Sequence, residues 1–360
     1  MTATAPTWQD VLASWTFPSV AELLVLAATA GYLWLSRRPA VSGSDELARW
    51  PAARTASWLG AVLVLVVALD GPVGRFSDVL FWVHMTQHLL LIMIVPLLVV
   101  WSQPIRLARR AAGPSGRARL DGVLGSRPFR WATAPLTGLA AYAAVVVLTH
   151  LTGFQQLSAT DTGVRAVELC MYLLAGYLYF LPLAGSDRGP WTLPHLLRLV
   201  LLVVGMGADT LTGVALMLTS RPLAPAYGAA HPGWGPTALA DQEVAGAIMW
   251  FGGDLLMMLL MIMVAVQWGR AGADSQGLGE WLEGARRRAV LGDAAGAGGA
   301  LGGDLEGDVD HDGFGPDIDD DQRALDSYNA MLAALNERRG RTAPRGGRDG
   351  AAGRADRTSD

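Results

Sequence analysis

Two histidines four residues apart, His84 and His88, lie within a long apolar stretch of the sequence. On an α-helix, residues four apart stack on one face, so the two imidazole rings can approach the same point. Imidazole nitrogen is a ligand for copper, zinc and iron. A histidine near a membrane interface can also simply bond to backbone or water. We interpret the pair as a metal site, because ionisable groups inside a membrane are costly and usually functional.

Further side chains are candidate ligands for the same ion. Met85 lies within the histidine pair, and thioether sulfur suits cuprous copper. Met93 is also nearby, and His150, at the end of a later apolar segment, is a candidate third ligand. The ligand set beyond the histidine pair is therefore open at this point.

Two carboxylates, Asp209 and Asp254, fall near the middle of two later apolar segments. A carboxyl group at that depth is expected to be neutral or paired, and to face other helices. Thr210, Thr212 or the other aspartate are candidate partners. A proton or metal relay and a polar clamp between helices are equally good interpretations of this pair.

Seven apolar segments carry these residues in a chain of 360, of which 51% are hydrophobic and 17% charged. About 20 apolar residues span the hydrocarbon core of a bilayer, and such a segment must be helical to satisfy its backbone in lipid. We therefore predict an all-α membrane protein with about seven transmembrane helices. The segments run over residues 18–36, 57–70, 79–101, 131–150, 164–185, 195–220 and 241–268.

The loops between the segments alternate in arginine content, and the chain contains no lysine. Arginine is concentrated in residues 37–54, 106–127 and 270–288 and is sparse in the other loops. Cytoplasmic loops of membrane proteins carry the excess of basic residues. We therefore predict a multi-pass cell-membrane protein with its N-terminus outside, its tail in the cytoplasm and its histidine pair toward the outer side.

The composition changes near residue 270. Residues 1–270 are predicted to form the seven-helix transmembrane domain. Residues 271–360 are polar and rich in Gly, Ala, Asp and Arg, and are predicted to be a mostly disordered cytoplasmic tail. Leucines and a tyrosine recur there at helical spacing, which predicts a short amphipathic helix near 323–337.

Several functional classes lack the residues that they need. The histidine pair reads HMTQH, so the general-base Glu of an HExxH protease is missing. A lysine-linked retinal is excluded because there is no lysine. There is no Gly-rich phosphate loop and no G-x-S-x-G elbow, and the single cysteine excludes a disulfide framework. We therefore expect a protein that is not an enzyme and that does not bind nucleic acid.

Four segments carry recognisable motifs. Residues 81–104, FWVHMTQHLLLIMIVPLLVVWSQP, form a His-x-x-x-His helix with a Pro-containing end. ADTLTGVALMLTSRPLAPAY (208–227) and ADQEVAGAIMWFGGD (240–254) follow, and LDSYNAMLAAL (325–335) lies in the tail. The first three resemble, in order, the third, sixth and last helices of the CtaG family of cytochrome c oxidase (caa-type) assembly factors. The fourth is similar to the end of actinobacterial members, and the resemblance otherwise covers residues 20–270.

The resemblance implies a seven-span protein that helps to assemble a haem–copper oxidase by supplying copper to its catalytic subunit. His84 and His88 match the family's histidine pair, and Asp241 and Gln242 match the Asp-Gln pair that opens its last helix. Asp241 and Gln242 are therefore expected to be functional.

One position departs from the family. Many members have a histidine in the fifth helix, where this chain has Glu168, Leu169 and Cys170. If that histidine is a ligand, the resemblance implies that Glu168 or Cys170 replaces it here.

The leading hypothesis is a copper-handling assembly factor in the lipid bilayer. A cuprous ion would be held by the histidine pair, with help from Met85, His150 or Cys170, and would pass by direct contact to the membrane subunit of the oxidase. The alternative is a haem-binding electron-transfer protein or haem-modifying enzyme, with His88 and His150 as axial ligands. A transporter ranks third, because the repeat symmetry of such folds is missing.

Overall fold

In a computed structural model, the structure describes residues 6–15, 19–39, 49–184, 191, 193–231 and 233–274. Among these residues there are helices and no strand, which confirms the all-α fold. The α-helices are α1 (Trp8–Ala13), α2 (Ser19–Arg37), α3 (Ala52–Leu69), α4 (Pro72–Phe76), α5 (Phe81–Leu89), α6 (Val95–Ser102), α7 (Pro104–Ala111), α8 (Pro114–Leu124), α9 (Arg127–Ala132), α10 (Pro135–Leu151), α11 (Phe154–Thr160), α12 (Thr162–Ala184), α13 (His195–Leu218), α14 (Pro225–Ala230) and α15 (Ala238–Asp274).

Membrane-spanning helices are confirmed. Within the described part of the chain, five helical stretches are long and apolar enough to cross a bilayer, and a sixth is added if the bent pair α10 and α11 counts as one span. Each of the seven predicted apolar segments overlaps a helix, because uninterrupted apolar runs satisfy their backbone only in this form. The count of seven spans and the orientation stay predictions.

A π-helical turn, Leu90–Ile94, interrupts the helix that carries the histidine pair and joins α5 to α6. Pro96 explains the interruption, because proline has no N–H to offer the carbonyl of Ile92 and its ring crowds that carbonyl. The Ile92 oxygen instead faces Gly176 of α12, where an added Cβ would lie only 1.9 Å from it. Glycine at 176 therefore lets α12 lie directly against the π-helical turn.

Helix α12 packs against α10, the π-helical turn and α6. Its contact with α10 also depends on a glycine, since a Cβ on Gly138 would lie 2.5 Å from the carbonyl oxygen of Leu178. The buried tyrosines Tyr142 and Tyr179 stack between the two helices, with ring centroids 4.5 Å apart. Side chains near the start of α12 are thereby held against both α5 and α10.

The chain bends by 75° between α10 and α11, after Leu151. This bend turns the polar face of α11 back toward the first turns of α12. Two polar residues that lie beyond the apolar run, Gln155 and Ser158, are buried as a result.

Contacts divide the chain into Met1–Val266 and Gln267–Asp360. The site described below belongs entirely to the first unit. The predicted tail from residue 275 onward, with its amphipathic helix near 323–337, lies outside the described residues, so the boundary predicted at 270 and the nature of the tail stay predictions.

Candidate metal centre

His84, His88 and Glu168 converge in the interior, and each is at most 3% exposed. One ligand atom from each residue lies within 4.8 Å of the other two. Glu168 Oε1 is 3.3 Å from His88 Nε2 and 3.6 Å from His84 Nε2. Helix α5 supplies the two imidazoles from one face, as the four-residue spacing predicts, and α12 supplies the carboxylate. We call these three residues the His₂Glu cluster.

The first turn of α5 is capped by a residue far along the chain. Asp241, at the start of α15, accepts hydrogen bonds from the backbone N–H groups of Phe81 at 2.8 Å and Trp82 at 2.9 Å. The residue before the helix, Leu80, supplies no side-chain cap. A carboxylate at a helix N-terminus satisfies free donors and favours the helix dipole. Asp241 thus positions the helix that carries the histidine pair, and its expected functional role stays a prediction.

Gln242 has a similar structural role beside Asp241. Its side-chain oxygen accepts from the backbone N–H of Leu223 at 2.7 Å, and its amide donates to the carbonyl of Leu216 at 3.1 Å. These bonds tie the start of α15 to the end of α13 and the following loop. None of the hydrogen bonds described for Gln242 reaches the His₂Glu cluster, and its expected functional role stays a prediction.

His150 lies behind His88 and orients it. His150 Nδ1 is 2.7 Å from the carbonyl oxygen of Val146, so we assign it the ring hydrogen, and Nε2 accepts from His88 Nδ1 at 3.0 Å. This pattern leaves His88 Nε2 as a free lone pair facing Glu168. Both ring nitrogens of His150 have hydrogen-bond partners in this structure, and its role as a ligand stays a prediction. Partners of this kind fix the ring orientation of metal-binding histidines.

Glu168 is held by donors from two helices. Gln155 Nε2 donates to Oε1 at 2.9 Å, Ser158 donates to Oε2, and the hydroxyl of Tyr172 lies 3.3 Å from Oε1. Hydrogen bonds to a carboxylate stabilise its ionised form, which burial alone would disfavour. The bend between α10 and α11 is what brings Gln155 and Ser158 here. The cluster therefore presents a buried, charged oxygen to the two imidazoles.

Cys170 does not belong to the cluster. Its side chain is exposed, whereas Glu168, two residues earlier, is fully buried. Successive residues on an α-helix are rotated by about 100°, so positions two apart point in nearly opposite directions. Of the two candidates for the fifth-helix position, Glu168 faces the histidines, and the role of Cys170 as a ligand stays a prediction.

Met85 is buried, 1% exposed, on the next face of α5. It shares with His88 and His150 the wall of a small cavity that is also lined by Met249 and Asp209. Its role as a ligand stays a prediction.

The two mid-segment carboxylates join neighbouring helices. The hydroxyl of Tyr142 on α10 donates to Asp209 on α13 at 2.6 Å, and Thr210 donates to both oxygens of Asp254 on α15, at 2.9 and 3.1 Å. Thr210 was among the expected partners, and Tyr142 was not. These contacts are what a clamp between helices requires, and a relay stays a hypothesis.

Arg165 is one of the residues of the site that the sequence did not single out. It lies one turn before Glu168 on α12, and its guanidinium contacts Nδ1 of His84. Because arginine only donates hydrogen bonds, we assign the ring hydrogen of His84 to Nε2. The signal for Arg165 was present in the spacing Arg165, Glu168 and Tyr172, which places three polar side chains on one face of an apolar helix.

Tyr227, on α14, completes the surroundings of Arg165 from the loop side. Its hydroxyl accepts from Arg165 at 3.3 Å. Burial raises the pKa of Tyr227, so the phenol stays neutral beside the guanidinium.

Comparison with known proteins gives one family match and three similar chains. The sequence model of the cytochrome c oxidase caa3 assembly factors matches residues 30–271. An uncharacterised protein of Mycobacterium leprae is 28% identical over 265 residues, 71% of this chain and 40% of that protein. Uncharacterised proteins of Mycobacterium bovis and Mycobacterium tuberculosis are each 29% identical over 282 residues, 74% of this chain and 41% of theirs. The chain thus spans about two fifths of the length of these relatives. No solved structure matches the chain.

Proposed function

The chain belongs to the cytochrome c oxidase caa3 assembly factor family, and we propose that it holds a copper ion at the His₂Glu cluster and delivers it to the membrane subunit of a haem–copper oxidase. The chain would act as a carrier, with copper as its cargo, and would catalyse no reaction of its own.

One observation carries this proposal. His84 Nε2 and His88 Nε2 are buried atoms without a hydrogen-bond partner, and both face the same carboxylate oxygen. A buried polar atom left unsatisfied costs about 1–3 kcal/mol, so two of them side by side call for an explanation. A metal ion provides one, since it accepts the His88 lone pair directly and displaces the hydrogen on His84 Nε2.

The spacing of the three atoms fits a common ion. Nitrogen and oxygen ligands about 2.0–2.1 Å from a tetrahedral metal lie about 3.3 Å from one another. The distances from Glu168 Oε1 to the two histidine nitrogens are 3.3 and 3.6 Å. These two distances are therefore close to those around a common metal ion, and the three ligand atoms all lie within 4.8 Å of one another.

The donor set also suits transfer. Imidazole binds copper well, and three protein ligands leave a fourth position open to a ligand of the recipient. Histidines of the recipient could then replace those of the carrier one at a time. The predicted orientation would bring the cluster toward the outer side of the bilayer, the side from which we propose that copper enters.

The haem alternative draws no support from this geometry. His88 Nδ1 and His150 Nε2, its proposed axial ligands, are 3.0 Å apart and bonded to each other. An iron atom coordinated by both rings would need roughly twice the 2 Å metal–nitrogen distance between them.

The test is elemental analysis of the full chain purified in detergent, after loading with cuprous ion under reducing conditions and removal of excess metal. We expect about one copper per chain in the wild type and none in His84→Ala/His88→Ala. His195→Ala and Cys170→Ser are matched controls, because they remove a histidine or the cysteine outside the cluster, and both should keep their copper. Copper retained by the double variant, or iron in the freshly purified wild type, would overturn the proposal.

A further inference from the structure

Arg165 places a buried positive charge beside the His₂Glu cluster. Its side chain is 11% exposed, and its NH1 nitrogen contacts His84 and lies 3.9 Å from Glu168 Oε2. Arginine cannot lose its proton in a protein, so this charge is permanent. A cation adjacent to a metal site opposes metal binding, which makes its placement here unexpected unless it serves the choice of metal.

The guanidinium is held from several elements. Its NH2 nitrogen donates to Ser77 Oγ at 2.7 Å and to Gln87 Oε1 at 3.0 Å, and lies 3.2 Å from Asp78 Oδ1. When a metal takes Nε2 of His84, the ring hydrogen moves to Nδ1 and this one contact with Arg165 is lost. The other partners remain, so the positive charge stays beside the occupied site.

The charges in and around the cluster nearly cancel without a metal. Glu168 contributes one negative charge and Arg165 one positive charge, while the histidines are neutral ligands. Asp78 is 66% exposed on its side chain, so solvent screens most of its effect. A singly charged ion then leaves one net positive charge in the interior, and a doubly charged ion leaves two.

We propose that Arg165 makes the His₂Glu cluster selective for a singly charged metal ion, and so for cuprous copper over zinc and other divalent ions. This inference rests on the proposed function, since it assumes that the cluster binds metal. The charge of Arg165 supplies a selectivity that the donor set alone does not, because two imidazoles and a carboxylate also suit zinc and ferrous iron. Repulsion from a fixed neighbouring charge is twice as large for a divalent ion as for a monovalent one.

The experiment compares affinities for two ions on the full chain in detergent. Cuprous ion is titrated against a chromophoric cuprous chelator under reducing conditions, and Zn²⁺ against a fluorescent zinc indicator. The measured quantity is the ratio of the cuprous to the zinc affinity. The variants are Arg165→Gln, which removes the positive charge, and Arg165→Lys, which keeps the charge but changes the shape of the charged group.

We expect Arg165→Gln to shift this ratio toward zinc by about 10- to 100-fold, the size of one unit charge acting at several ångströms in a protein interior. Arg165→Lys should stay within about threefold of the wild type, because the charge is retained. An unchanged ratio in Arg165→Gln, or equal shifts in both variants, would overturn the proposal.

Asp78→Asn gives an independent test if Arg165→Gln does not fold. It removes a largely exposed carboxylate 3.2 Å from Arg165 and strengthens the effective positive charge. The ratio should move about two- to threefold toward cuprous ion, in keeping with the small size of exposed charge interactions, and a shift toward zinc would contradict the role of Arg165. Wild-type protein that binds neither ion would instead contradict the proposed function. Tight cuprous binding, with a ratio of cuprous to zinc affinity that does not change when Arg165 is substituted, would contradict only this inference.

Discussion

Two regions of the helical bundle contain carboxylates, and they differ in whether the polar atoms around each carboxylate have hydrogen-bond partners. In the mid-helix region, Asp209 accepts from Tyr142, and Asp254 accepts from Thr210 through both oxygens. Each pair joins two helices. The hydroxyl donors and carboxylate acceptors of this region bond to each other, so these contacts are compatible with the absence of a bound metal ion.

The His₂Glu cluster has more polar side chains and is less complete. Glu168 accepts several hydrogen bonds, yet the Nε2 atoms of His84 and His88 that face it have none. The comparison teaches that a buried charge alone does not indicate a binding site. What distinguishes the cluster is that two unsatisfied nitrogen atoms of α5, His84 Nε2 and His88 Nε2, face one carboxylate oxygen of α12.

The largest expected effect comes from Glu168→Gln, which keeps the shape of the side chain and removes its charge. Loss of an outer partner of a ligand costs about 10- to 100-fold in metal affinity, so loss of the ligand charge should cost at least about 100-fold. Chelator competition measures the affinity per folded chain. Asp254→Asn is the matched control, and comparable losses in both variants would break the distinction between the two regions.

A smaller effect is expected from His150→Gln. The bond from His88 to this position orients the ligand without contacting the metal, so affinity should fall by about 10- to 100-fold while one copper per chain still binds at saturation. His231→Gln is the control, since His231 is also buried and bonded to a carbonyl but lies outside the cluster. If the copper bound per chain at saturation is halved or lost completely, His150 is itself a ligand.

Tyr142→Phe should leave metal affinity unchanged. It removes the hydroxyl that donates to Asp209, so the chain should lose about 1–3 kcal/mol of stability, measured as a lower midpoint of thermal unfolding in detergent. Metal affinity that falls with the midpoint would show that the mid-helix region is coupled to the cluster, and the comparison would then have to be abandoned.

The sequence predicted the helices well, because an apolar run in lipid has few alternatives to an α-helix. It also predicted that His84 and His88 share a face, since that follows from helical periodicity alone. The choice between Glu168 and Cys170 could not be made in advance. Both lie in the same turn of α12, and only the packing of that helix against α5 decides which one faces inward.

The partners of Glu168 were not predictable. Gln155 and Ser158 follow an apolar run in what looks like a polar loop, and their burial depends on the bend after Leu151. Arg165 resembled an ordinary basic residue at the mouth of a helix. Its contacts outside α12 come from three separate parts of the chain, which sequence periodicity cannot bring together.

The π-helical turn between α5 and α6 closes each hydrogen bond over one residue more than an α-helix does. Deleting one residue from 90–94 would restore the regular register and rotate His84 and His88 by about 100° relative to the half of the helix beyond Pro96. The π-helical turn therefore fixes the direction in which the histidine pair faces relative to the packing face of the helix beyond Pro96.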